Sequence, residues 1–255
     1  MRNKTVIVTG GSNGMGKFMA KRFVEEGANV LITGRTEETL STAKQEIEIS
    51  GSGNVEYFVM DVRKPDQVAN MVELSISKFG QIDHLINNAA GNFISPAEKL
   101  SVNGWNSVID IVLNGTFYCS KEVGNYWINN EWKGSIINIV ATYAWNAGAG
   151  VIHSAAAKAG VLSMTRTLAV EWGTKYGIRV NAIAPGPIER TGGAEKLFLS
   201  EEAAQRTLDS VPLHRLGKPE EIAGVAHFLC SDNAGYINGE VITMDGGQWL
   251  NKHPF

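Results

Sequence analysis

Cysteine is scarce in this chain of 255 residues, with Cys119 and Cys230 the only two. A disulfide framework is thereby excluded, and a reducing compartment fits best, each thiol acting as a small buried apolar group. Charge of one sign is not in excess either, since 23 Lys and Arg stand against 26 Asp and Glu. A net charge of -3 and a pI near 6.0 leave no basic footprint, so nucleic acid is not an expected partner. Long apolar runs are also missing. Met1 to Lys4 lead into a short strand-like stretch and a glycine turn, too brief for a secretory leader. The uncharged run from 134 to 157 is interrupted by Asn138, Thr142, Tyr143, Asn146, His153 and Ser154, so it reads as interior and not as a membrane span. A cytoplasmic protein with no membrane segment is expected. No group of His and Cys has metal-ligand spacing, and zinc is not expected.

With 44% hydrophobic and 19% charged residues, the chain has the composition of a globular protein. The 28 glycines are in excess and imply many tight turns or close backbone approaches. Short β-rich runs alternate with helix-period segments, the pattern of βα units and a parallel sheet. Strands are expected near Thr5 to Thr9, Asn29 to Thr33, Val55 to Met60, His84 to Asn87, Ser135 to Val140, Arg179 to Ala184 and Val241 to Met244. Pro65 and Asp66 begin a helix whose apolar side is Val68, Met71, Val72, Ile76 and Phe79, and Gly80 ends it. A second, central helix runs from Ser154 to about Lys175. The whole reads as one α/β domain over residues 1–255, doubly wound, with seven parallel strands and helices on both faces. Its one insertion, Pro185 to about Ser210, is expected to act as a substrate lid over about 188–210.

The first strand is followed by Gly10-Gly-Ser12-Asn13-Gly14-Met15-Gly16, a glycine-rich turn that opens a helix. Such a turn brings backbone N–H groups and the helix dipole to a pyrophosphate. After the second strand, Gly34 stands where an NAD enzyme would place a carboxylate, and Arg35 offers a cation for a 2′-phosphate, which favours NADPH.

The turn resembles the T-G-x-x-x-G-x-G of short-chain dehydrogenases/reductases, whose fold is a Rossmann fold. Further resemblances span almost the whole chain. Asp61-Val62 is similar to the adenine contact, Asn87-Asn88-Ala89-Ala90-Gly91 to N-N-A-G, Asn114 to the structural and catalytic asparagine, Pro185-Gly186-Pro187-Ile188 to the nicotinamide contact, and Asp245-Gly-Gly to the final strand end. One motif departs. Ordinary members carry Y-x-x-x-K, in which tyrosine protonates a carbonyl oxygen and lysine binds the nicotinamide ribose and lowers the tyrosine pKa. Here Lys158 is present, but Ser154 occupies the tyrosine position and the usual serine falls at Ala141. Ordinary alcohol dehydrogenase chemistry is therefore disfavoured.

Tyr143, three residues past the fifth strand, is the available substitute. The set of Asn87 to Pro96, Asp110 to Gly115, Tyr143 and Ser154-Ala-Ala-Ala-Lys158 resembles the NADPH-dependent 2,4-dienoyl-CoA reductases. That resemblance implies that Tyr143 and Asn92 hold the thioester oxygen of an acyl-CoA, beside Phe93, while Ser154 and Lys158 place the nicotinamide. It also implies a homotetramer built on the helices of Asn114 and Lys158. Arg63 and Lys196 are the candidates for phosphates of the CoA group. Other readings stay open at single residues: Tyr143 as a strand-end aromatic, Asn92 as a turn former, Ser154 as the N-cap of its helix, His153 as packing. For the protein they are another enoyl-thioester or carbonyl reductase, and a non-catalytic NADP(H)-binding sensor.

Overall fold

The computed structural model describes residues 1–192 and 201–251. Seven strands, β1 Thr5–Thr9, β2 Asn29–Gly34, β3 Asn54–Val59, β4 His84–Asn87, β5 Ser135–Ile139, β6 Arg179–Pro185 and β7 Val241–Met244, form one sheet in the order β3-β2-β1-β4-β5-β6-β7. Every pairing is parallel. The expected strands all appear, each boundary within one residue, because Gly and Pro punctuate the apolar runs and leave little freedom at their ends. β6 reaches Pro185 at its very end, where a missing N–H does least harm to the ladder.

Alternation along the strands divides the core. Val6 and Val8 of β1 point to a cluster with Met19, Phe23, Leu40, Ile47, Ile222 and Leu229, which belong to α1 Gly14–Glu25, α2 Glu37–Glu48 and the last helix, Pro219–Cys230. Ile7 points the other way, to Val68, Met71, Cys119, Val123 and Trp127 of α3 Pro65–Phe79 and α5 Gly115–Asn129. α4 Val102–Ile109 and α6 Ile152–Tyr176 complete that second face. α7 spans Glu201–Ser210, and the last helix is α8. Gly80 and Gly177, with φ of 81° and 67°, end α3 and α6 in the left-handed conformation that glycine adopts without strain.

Two features position the site. A buried chain of hydrogen bonds ties the sheet to both long helices: the Asn87 amide donates to Ser120 Oγ and to Asn138 Oδ1, each at 2.9 Å, and Asn138 donates to Thr165 Oγ1 at 2.9 Å. Between α4 and α5 the helix loosens into a π turn, Asp110–Asn114, an irregularity that tends to mark functional sites. Cys119 and Cys230 are free and buried. No described helix is long and apolar enough to cross a membrane. Of the expected lid, residues 193–200, including Lys196, lie outside the described residues.

Candidate active site

A parallel sheet aims the carboxyl ends of all its strands at one edge, where ligands bind in doubly wound folds. There Thr9 and Asn88 build the glycine turn. Thr9 Oγ1 accepts from the backbone N–H groups of Asn88 and Ala89, each at 3.0 Å, and the Asn88 amide donates to the carbonyls of Thr9 and Gly10, each at 3.0 Å. Gly10 and Gly14 take φ of 64° and 48°. A Cβ on Gly16 would sit 2.2 Å from the Gly10 carbonyl oxygen and 2.5 Å from Asn88 Nδ2. In this cradle Gly16 thus has no room for a side chain and Gly10 almost none, and the first turn of α1 carries no acid to repel an anion. Ser12, Asn13 and Met15 complete it. Gly16→Ala is expected to weaken nicotinamide dinucleotide binding at least about tenfold and to lower the melting temperature, since backbone must shift to admit the methyl. Fluorescence titration of the cofactor together with thermal unfolding checks both.

At the next strand ends, Gly34 leaves space and Arg35 is exposed. Asp61 is held below the usual carboxylate range, chiefly by its hydrogen bonds from Arg63, with Arg35 adding attraction. Arg63 Nε lies 2.9 Å from each Asp61 oxygen and Nη2 lies 2.5 Å from Oδ2. The guanidinium expected to meet a substrate phosphate is therefore paired with its own neighbour. Val62 is buried and touches the position of Gly115, where a Cβ would meet it at 2.7 Å, so α5 packs closely on this side.

The chemical end lies between β5 and α6. Ile152 begins α6, with Val151 as its N-cap, so Ser154 stands inside the first turn and is not the cap. Its hydroxyl turns instead to Tyr143, in the 3-10 turn Thr142–Ala144, with the two oxygens 3.1 Å apart. Ser154 and Lys158, four residues apart, share one helix face. Lys158 is buried and donates to the carbonyl of Ile139 at the end of β5. Burial brings its pKa down to about 8, and burial also pushes the Tyr143 phenol up, against the opposing effect of Ser154. Ala141 is buried and apolar. Asn114, in the π turn, donates to Asp110 Oδ1 at 2.9 Å.

Asn92 and Phe93 sit on the exposed loop after β4, which docks on the start of α6: Ser95 N–H donates to the Gly150 carbonyl at 2.9 Å, and the Phe93 ring meets the His153 ring edge to face at 4.5 Å. Beyond β6, a Cβ on Gly186 would strike Asp245 Cβ at 2.6 Å, so glycine is needed where the end of β7 comes close. Gly186 N–H donates to Met244, Pro187 accepts from Gly217, and Ile188 bridges to Gly217. This brings Pro185 to Ile188 to the same edge as Tyr143 and the glycine turn.

Sequence reasoning missed two contacts at this edge. Thr9 opens the T-G-x-x-x-G-x-G motif, but the bonds its hydroxyl accepts from Asn88 and Ala89 have no pattern in the sequence. Trp145, two residues past Tyr143, packs edge to face on Trp249 at 5.8 Å, a contact between distant segments that no periodicity announces. His153, read as packing, is buried against Phe93.

The family model described as "Enoyl-(Acyl carrier protein) reductase" matches residues 10–248. A Bacillus subtilis protein named "Probable 2,4-dienoyl-CoA reductase [(2E)-enoyl-CoA-producing]" is 64% identical over 255 residues, covering 100% of both chains. The crystal structure of a short chain dehydrogenase from Bacillus anthracis is 66% identical, covers 99% of each chain and superposes with a TM-score of 0.92. A Beutenbergia cavernae dehydrogenase structure with bound NADP at low occupancy is 32% identical over 98% of each chain, with a TM-score of 0.91. Sheet order, glycine cradle, buried lysine and full-length similarity agree, and the chain belongs to the short-chain dehydrogenase/reductase family of oxidoreductases.

Proposed function

We propose that this protein is an NADPH-dependent 2,4-dienoyl-CoA reductase of unsaturated fatty acid β-oxidation. The observation that carries the reading is the Tyr143–Ser154 hydrogen bond, one helical turn from buried Lys158, with Ala141 in the place of the usual serine. The phenol has moved while the lysine has stayed. Hydride added to the far carbon of a conjugated dienoyl thioester leaves a dienolate, whose charge reaches the thioester oxygen. That oxygen needs donors that hold it more than an acid that protonates it. Tyr143, kept protonated by burial, and the Asn92 amide are the two donors. Ser154 orients Tyr143, and Lys158 and Asn114 order the nicotinamide side of the site. Protonation then falls on carbon, with water as the source of the proton. The name of the 64% identical relative corresponds to the γ-carbon, which leaves a (2E) double bond.

NADP(H) fits the cradle, because Gly16 leaves no room for a side chain where the backbone must approach a pyrophosphate. When bound, it supplies the hydride. Gly10 to Gly16 hold its phosphates, Arg35 its 2′-phosphate, Asp61 and Val62 its adenine, and Asn88, Ala89 and Pro185 to Ile188 its nicotinamide half. Arg35→Ala is expected to lower kcat/KM for NADPH about 10- to 100-fold, the loss of one or two charge-assisted hydrogen bonds, and to leave NADH turnover nearly unchanged. An equal loss with both cofactors would contradict the 2′-phosphate assignment.

The chain is read as a single domain in which α7 is the described helix of the lid expected over about 188–210. Gln248 donates to Ser210 Oγ at 2.8 Å and Asn251 to its carbonyl at 3.1 Å, so the end of α7 is anchored to the segment after β7. A cytoplasmic homotetramer built on α5 and α6 accords with Phe117 and Val170, 46% and 69% exposed. The test of function is NADPH oxidation with a 2,4-dienoyl-CoA beside a simple ketone, a 2-enoyl-CoA and NADH. Turnover confined to the dienoyl thioester with NADPH is expected; preferential ketone turnover would return Tyr143 to carbonyl chemistry, and binding of NADPH without turnover would mark a sensor.

A further inference from the structure

The two halves of the candidate site meet at His153. Its ring is 0% exposed, in the first turn of α6 immediately before Ser154. Its face or edge is occupied by Phe93, which follows Asn92, with the rings 4.5 Å apart and inclined by 82°. The same junction is pinned on either side, by Ser95 N–H to the Gly150 carbonyl at 2.9 Å and by Ile94, whose Cγ2 lies 3.0 Å from where a Cβ on Gly150 would stand. Yet neither Nδ1 nor Nε2 has a hydrogen-bond partner among the described residues.

Packing does not account for that. A buried imidazole without hydrogen bonds forfeits the solvation of both nitrogens, a cost that Leu or Phe in the same space would not bear. Its neighbours show the contrast. The Ser154 hydroxyl reaches Tyr143 and the Lys158 ammonium reaches Ile139. Among the described residues Thr5, Thr33 and Ser75 also hold buried hydroxyls without a partner, but the His153 nitrogens are the ones beside Ser154 and the Asn92–Phe93 loop, where a bound ligand can supply one.

We propose that His153 is a substrate-binding residue, whose hydrogen-bond partner is carried in by the acyl thioester. The inference rests on the acyl-CoA reading above. A thioester oxygen held between Asn92 and Tyr143 would place the carrier arm against the Phe93–His153 junction, and Phe93 is 37% exposed there. The class of group that fits is a secondary amide of that arm, which offers both an N–H and a carbonyl to a ring that can accept at one nitrogen and donate at the other. Because both ring nitrogens are enclosed, the Phe93 ring, on its exposed loop, has to turn aside as the arm binds, and that uncovers the imidazole edge.

The probe is hexanoyl-CoA, an unreactive acyl thioester, titrated calorimetrically into wild type and His153→Leu. The variant is expected to melt at the wild-type temperature or above, to bind NADPH within about twofold of wild type, and to bind hexanoyl-CoA about tenfold more weakly, the worth of roughly one hydrogen bond. KM for 2,4-hexadienoyl-CoA should rise in proportion, with kcat less affected. His153→Phe, which keeps a ring against Phe93, carries the same expectation. In wild type the His153 ring resonances should shift when hexanoyl-CoA is added, a reading that depends on no variant. Unchanged hexanoyl-CoA affinity in either folded variant, loss of NADPH affinity instead, or ring resonances that stay in place would each overturn the proposal. His153-dependent binding of hexanoyl-CoA without turnover of the dienoyl thioester would sink the proposed reaction and leave this site standing.

Discussion

Tyr143→Phe is expected to lower kcat for a 2,4-dienoyl-CoA by about 10²- to 10³-fold, the usual consequence of removing one donor from an oxyanion hole. The ring stays where it is, so packing is preserved, and the only hydrogen bond lost among the described residues is the one to Ser154 Oγ at 3.1 Å. The melting temperature should therefore hardly move, a single hydroxyl bond being worth about 0.5–1.5 kcal/mol. Steady-state rates beside thermal unfolding separate the two effects. A variant that keeps more than half of the wild-type rate would reduce Tyr143 to a half-buried strand-end aromatic. Ser154→Ala should cost less, because Ser154 orients the phenol and is not itself the principal donor.

The second large effect is expected at Lys158. Its ammonium is buried with one backbone carbonyl, that of Ile139, as its hydrogen-bond acceptor. Replacement by Met, of similar length, should lower kcat/KM on the order of 10²-fold or more, because a positive charge in a water-poor site is lost. Stability should move the other way. At neutral pH the folded chain carries a charge that burial disfavours, and Met removes that cost. The pH dependence follows with its sign. The folded-state pKa is brought down to about 8 from an ordinary 10.5. Between those two values the unfolded chain still binds a proton that the folded chain has released, so stability of the ligand-free protein rises with pH across that window. Activity runs opposite: kcat/KM, which reports on the free enzyme, falls as pH rises through about 8. Because burial pushes the Tyr143 phenol upward, the alkaline limb belongs to Lys158 and should be missing from the residual activity of Lys158→Met. A limb that persists unchanged in that variant would assign it to another group.

Local chemistry made much of this site legible before any coordinates. The strands follow from apolar runs closed by Gly and Pro, and α3 from the spacing of Val68, Met71 and Val72 behind Pro65. The glycine turn could be read because its function is a matter of backbone space, which sequence records directly as missing side chains. Tyr143 could be placed at the sheet edge, but its bond to Ser154 depends on how the 3-10 turn folds back on α6, and no period encodes that. Ser154 could equally have been an N-cap; the helix starts two residues earlier, at Ile152, which turns the hydroxyl inward. Arg63 read as a free cation, yet Asp61, two residues away, captures it in the turn after β3. The orphaned nitrogens of His153 and the Trp145–Trp249 contact arise from packing between segments far apart in the chain, and single-sequence patterns hold no trace of them.

The central claim is that hydride goes to the carbon end of a conjugated thioester while Tyr143 and Asn92 hold its oxygen. The most direct test supplies NADPH deuterated at the transferable position together with 2,4-hexadienoyl-CoA, and locates the label in the product by mass spectrometry and NMR. The account predicts one NADPH oxidised per diene, an intact thioester, and deuterium at C5 of the acyl chain. No incorporation into the dienoyl chain, with deuterium delivered instead to the carbinol carbon of a ketone offered in parallel, would contradict it.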